Sequence, residues 1–186
     1  SVYIVDDLDS VHDFASDLSQ LLLSLTTNQD DNNDDENDDF QAGLVGMDCE
    51  WRPSFYFASS SEPQPVLLCQ ICLHPLQKVY LMDLQTLLRP LLPPSEPMNE
   101  MEAAVSESLG NLLESTRLVK VGFQVVHDLR QLAASYPHMP IFQSVQSVLE
   151  ASALAKKVMQ LNKEKRNART ATSSLSRLTE AFLGKA

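Results

Sequence analysis

Asp48 and Glu50 stand two positions apart at the end of the apolar run Leu44-Val45-Gly46-Met47. In an extended strand residues two apart face the same side, so both carboxylates project together while Cys49 turns into the packing. Two carboxylates on one face suit a hard divalent cation such as Mg²⁺, which takes few protein oxygens and keeps waters and phosphate oxygens as its other ligands. An Asp-x-Glu pair by itself is more often the solvated end of a strand. Its position carries the argument further, because a solvated strand alternates polar and apolar residues, whereas this pair closes an apolar run at the edge of a buried sheet. A third acid, Asp128, falls in the first turns of a helix directly after the strand-like Leu118-Val119-Lys120-Val121-Gly122-Phe123, and can converge on the first two.

The elements that must position these acids follow from periodicity. Val2-Tyr3-Ile4-Val5 reads as a short strand, followed by a helix with Leu8, Val11, Phe14, Leu18, Leu21, Leu22 and Leu25 on one stripe. Residues 43–51, 66–73 and 78–84 read as a three-stranded antiparallel meander, with a Ser/Pro-rich connection over 53–65 and a His-Pro turn. A helix is predicted over 99–116, with Met98 and Met101 as core or gap filling, then the strand 118–123. The helix carrying Asp128, Leu129 and Leu132 starts around Val125 or Val126 and stops before Tyr136-Pro137. Residues 144–149 read as a strand, 151–161 as a helix, 162–172 as a flexible linker and 173–183 as a last amphipathic helix. Hairpin strands followed by strands alternating with helices predict an α/β fold, a mixed sheet flanked by helices.

The 186 residues suit one domain. No apolar run is long enough to span a bilayer and no secretory signal is recognisable, so the expectation is a soluble intracellular chain, cytoplasmic or nuclear, without membrane contact. The formal charge of −11 argues at first against a phosphate-rich partner, but seven acids lie within positions 30–39, and removing those seven from −11 leaves about −4. That tract, within a loop over 28–41, is expected to be disordered, since its charge outweighs any apolar burial. Lys156, Lys157, Lys163, Lys165, Arg166 and Arg169 form a basic segment able to track a phosphate backbone or to serve as a solvated helix face. Cys69-x-x-Cys72 lies in a strand, where residues three apart point to opposite faces; burial explains it better than zinc or redox chemistry, even with His74 nearby.

Asp48-Cys49-Glu50-Trp51 resembles the first motif of the DEDD superfamily of 3′–5′ exonucleases, and Gly122-Phe123 with Asp128-Leu129 resembles the second. Residues 67–71 and 79–84 resemble the two strands that this superfamily places between them. The resemblance covers nearly the whole chain after Leu44 and lies in the RNase D and Werner-type branch, nearest to Nibbler-like exonuclease-domain proteins. It implies a ribonuclease H-like fold and removal of nucleotides one at a time from single-stranded 3′ ends, with RNA favoured over DNA. It also implies two Mg²⁺ or Mn²⁺ ions that activate water and stabilise the leaving 3′ oxygen. Asp48 would then bridge both ions, Glu50 would help hold the nucleophile-side ion, and Asp128 would bind the other.

Around these acids, Trp51 is a candidate for stacking on a terminal base and Gln70 for reaching the 3′-terminal nucleotide, although core packing and a satisfied buried amide are the ordinary fates of such residues. Phe123 is expected in the core, His127 toward solvent, and Asp83 at a turn or helix cap. The superfamily's third motif, a Tyr or His general base with a fourth Asp, normally follows a segment like residues 174–184, and none is found here. The expectation is therefore an incomplete exonuclease domain that alone binds metal poorly and shows little activity. The alternatives are a catalytically inactive nucleic-acid-binding or protein-docking domain of the same fold, or an interaction module acting through the acidic tract.

Overall fold

The computed structural model describes residues 1–27, 42–51 and 64–161, with side chains to residue 158. The predicted acidic loop, residues 162–172, the helix over 173–183 and most of the basic segment lie outside the described residues.

Six strands form one mixed sheet in the order β1-β4-β3-β2-β5-β6. β2 (Gly43–Trp51), β3 (Val66–Leu73) and β4 (Lys78–Asp83) make the antiparallel meander. β1 (Val2–Val5) joins β4 in parallel, and β5 (Leu118–Gly122) and β6 (Val148–Glu150) extend the other side in parallel beyond β2. The helices are α1 (Leu8–Thr27), the single turn α2 (Leu84–Leu87), α3 (Glu100–Leu113), α4 (Val125–Ser135) and α5 (Ala151–Leu161). Together they give the predicted ribonuclease H-like α/β architecture. No helix among the described residues is long and apolar enough to cross a membrane.

Alternation along the strands decides which face is core. Val45, Met47, Cys49, Cys69, Ile71, Leu73, Tyr80 and Met82 are buried on one side, under the α1 stripe of Val11, Phe14, Leu18, Leu21 and Leu25. On β2 the intervening residues Leu44, Gly46, Asp48 and Glu50 are exposed or half-buried, so the acids occupy the open face. Cys69 and Cys72 do face opposite ways, one buried and one half-buried.

Local chemistry ends the elements where they end. Asp7 accepts the Ser10 N–H at 2.8 Å while the Ser10 hydroxyl accepts the Asp7 N–H, opening α1. Asp83 caps α2 as expected, accepting from Gln85 N and Thr86 N. Asn99 and Glu102 form a capping box on α3. Glu102, fully buried, also accepts Arg89 at 2.6 Å and shares a 3.1 Å hydrogen bond with His138. At the other end of α3 the buried Lys120 ammonium donates to the carbonyls of Leu112 and Ser115, where the helix leaves acceptors unmet.

Three expectations need correction. The strand placed at 144–149 is only Val148–Glu150, because a 3₁₀ turn occupies Pro140–Gln143 and Ser147 takes a left-handed backbone (φ 51°) that an extended strand cannot continue through. Met98 is 40% exposed rather than core, since it precedes the capped start of α3. Phe123 is half-buried at the rim of a cavity, because the chain has already left β5 there.

Candidate functional site

β2 carries Asp48 half-buried and Glu50 exposed, with Cys49 between them buried on the core face. Cys49 sits opposite Cys69 across the ladder; the hydrogen bond with Cys69, and then burial, push its thiol pKa up, so it stays neutral. Asp48 lies opposite Gln70, and the ladder shifts register between Glu50 and Trp51. Such an irregularity re-aims the strand end beside the acids.

Gly122 brings the second half of the site up to the first. A Cβ on Gly122 would stand 2.3 Å from the Met47 carbonyl oxygen and 2.9 Å from the Val125 Cβ, so only glycine lets the end of β5 press this closely on β2. The next turn passes through Gln124 in a left-handed conformation (φ 60°, ψ 25°), and α4 starts at once. Val125, Leu129 and Leu132 face the core, and Asp128 on the same side is 5% exposed.

Burial, then the charge of Asp48 and more weakly that of Glu150, push the Asp128 carboxyl up to about 6, against opposing help from His127 and the Cys49 N–H. Burial also raises Asp48, opposed by the Cys49 N–H. One oxygen of Asp128, Oδ2, is buried without a hydrogen-bond partner among the described residues. A carboxylate arranged this way is costly in the metal-free chain.

The sequence-predicted acids are thus brought together unequally. Asp128 and Asp48 interact electrostatically, whereas Glu50 shares the Asp48 face but is exposed. Among the described residues no three His, Cys, Asp or Glu side chains stand close enough to hold one ion. The Asp48–Asp128 pair still fits a divalent cation on its own chemistry: hard oxygen donors, one buried and unsatisfied, and Mg²⁺ asks for only one or two carboxylates.

A cavity of about 320 Å³ opens on the same face, lined by Asp48, Gln70, Val79, Val121 and Phe123 among others. Gln70 is half-buried there, across from Asp48. Trp51 packs partly against the core and meets the exposed His127 ring edge-on, with centroids 5.6 Å apart.

Glu150 is the residue the sequence reading missed. It sits opposite Gly122 at the end of β6, and its Oε1 accepts the Gln124 N–H at 2.8 Å. An acid closing a strand just before a helix, as Asp83 does, was the available signal.

No family model matches the sequence. The human exonuclease mut-7 homolog is 32% identical over 94 residues, a match that spans 50% of this chain and 10% of that protein's length. In structure, the chain is similar to the Aedes aegypti Nibbler EXO domain (TM-score 0.60, 19% identity, 99% of this chain and 69% of that one). It is also similar to Trypanosoma brucei RNase D in complex with RNA U12 (TM-score 0.59, 14% identity, 98% and 47%). An EXD2 exonuclease domain soaked in Mg and GMP gives a TM-score of 0.51 at 19% identity over 98% and 69%. The resemblance carried by Asp48-Cys49-Glu50 and Asp128 thus extends to the whole architecture: the chain has the ribonuclease H-like fold of the DEDD 3′–5′ exonuclease domains.

Proposed function

We propose that the chain is the core of a metal-dependent 3′–5′ exonuclease that trims single-stranded 3′ ends, RNA in preference to DNA, by phosphodiester hydrolysis with two Mg²⁺ or Mn²⁺ ions. The observation that carries this reading is the buried, unpartnered oxygen of Asp128 beside Asp48. A surface that only binds nucleic acid has no use for paired acids, which repel phosphate. The likeness to exonuclease domains supports the activity, the RNA held by the trypanosomal RNase D supports the substrate, and the magnesium-soaked EXD2 domain supports the cofactor.

In this reading Asp48, Glu50 and Asp128 would hold the ions, and a cation there would offset the charge that burial and Asp48 penalise on Asp128. Ions held there would supply an activated water and stabilise the departing 3′ oxygen. Gln70, across the ladder from Asp48, reaches the terminal nucleotide, and Trp51 offers a stacking surface whose tilt its contact with His127 sets. The exposure of Glu50 favours a second reading, a domain of this fold that binds nucleic acid or protein without cleaving it.

Calorimetric titration with Mn²⁺, paired with degradation of 3′-labelled single-stranded RNA and DNA, separates the two. Saturable binding, even if weak, that Asp48→Ala abolishes together with Mn²⁺-dependent RNA trimming is the expected result. Wild-type protein that binds RNA but takes up no Mn²⁺ would establish the second reading instead.

A further inference from the structure

We propose that Glu150 is a positioning residue for Asp128, an inference that rests on the metal-dependent reading of Asp48 and Asp128. α4 starts from Gln124, a non-glycine residue in the left-handed region, and no side chain of the turn itself caps the helix. Such a conformation persists only when its surroundings hold it. Both backbone polar groups of Gln124 are held. Its N–H donates to Glu150 Oε1 at 2.8 Å, and its carbonyl accepts from His127 N at 2.8 Å and Asp128 N at 3.2 Å.

Glu150 is itself anchored. It lies opposite Gly122 in the β5–β6 ladder, and the same Oε1 accepts the Ser152 hydroxyl at 3.1 Å and the Ser152 N–H at 3.4 Å where α5 begins. One carboxylate oxygen therefore ties the end of β6, the start of α5 and the turn from which Asp128 hangs. The arrangement works against simple charge stability, since Glu150 adds to the repulsion on Asp128. Its place is explained by the geometry it imposes: a second layer of hydrogen bonds that aims a metal-binding carboxylate.

Amide hydrogen exchange at Gln124 and Mn²⁺ affinity, measured on wild type, Glu150→Ala, Glu150→Gln and Ser152→Ala, test this. Glu150→Ala should speed exchange at Gln124 and weaken Mn²⁺ binding by about 10–100-fold, the usual cost of losing such a support. Glu150→Gln keeps an acceptor and should stay near wild type, as should Ser152→Ala, which removes the hydroxyl contact but leaves the Ser152 N–H and the β5–β6 ladder to hold Glu150. Fast exchange in Glu150→Ala with unchanged Mn²⁺ affinity would overturn the proposal, as would equal weakening in Ser152→Ala. If Glu150→Ala does not fold, Glu150→Asp decides: its shorter reach should speed Gln124 exchange and weaken Mn²⁺ binding, and no change in either refutes the role. Failure of the wild type to bind Mn²⁺ is a different result, which removes the metal reading itself.

Discussion

Replacing Asp128 with asparagine should make the metal-free protein more stable, which is the reverse of what removing a buried, positioned group usually does. The Asp128 carboxyl is raised from 3.8 to about 6 by burial and by the charge of Asp48. At about 1.4 kcal/mol per tenfold change in proton affinity, the charged form costs the fold about 3 kcal/mol. The substituted amide would carry no charge and would keep an acceptor for the Cys49 N–H, but its N–H donors would replace the unpartnered Oδ2 and cost about 1 kcal/mol. The net expectation is a gain of about 2 kcal/mol near neutral pH. The sign follows from the raised folded-state pKa: the contribution of Asp128 is fully present below the unfolded value of 3.8 and is lost as pH rises through about 6. The advantage of Asp128→Asn should therefore grow between those limits and then level off. Urea unfolding in chelator-treated buffer across that range measures it. Saturating Mn²⁺ should reverse the order, since wild type alone gains binding energy, about 2.7 kcal/mol at a hundred times Kd. A variant less stable than wild type at neutral pH without metal, or a difference that does not vary with pH, would show that Asp128 is not the strained acid described above.

Gly122→Ala should cost about 3 kcal/mol in chemical unfolding and abolish any Mn²⁺ binding, because the new methyl meets the Met47 carbonyl oxygen at 2.3 Å, where backbone on both sides resists movement. Glu102 should dominate acid sensitivity. Its burial opposes ionisation, but Arg89, the Asn99 and Arg89 N–H groups and His138 hold its pKa down from 4.5 to about 2. The stability it adds, about 3 kcal/mol, is present above pH 4.5 and lost as pH falls toward 2; Glu102→Gln should flatten that acid limb in a pH series of thermal melts.

The parts of the site legible in the sequence are those governed by period. Alternation along β2 put Asp48 and Glu50 on one face with Cys49 opposite, and the change from strand to helix period after Phe123 put Asp128 in a first helical turn able to converge on them. What escaped depends on single backbone torsions and long-range contacts, which leave no periodic trace. Nothing in the residue types Gln124 and Ser147 announces positive φ, so the left-handed turn into α4 and the short β6 could not be read ahead, although the start of α4 at Val125 could. Glu150 became meaningful only once β6 lay beside β5, because its partner Gln124 is 26 positions away. Gly122 was recognisable as part of a motif, but the carbonyl that forbids a side chain there belongs to another strand.

The strand at the far rim of the sheet brings little burial of its own. Among the described strands β1 pairs only with β4, and Ser1 just before it accepts the Val79 N–H at 2.9 Å. Val2 and Ile4, each 65% exposed, add little apolar burial, so Val5 and the stacked Tyr3–Tyr80 pair hold the strand. β1 is thus poised to fray without disturbing β2 and β5, which carry the two halves of the carboxylate pair's scaffold and lie in the interior of the sheet.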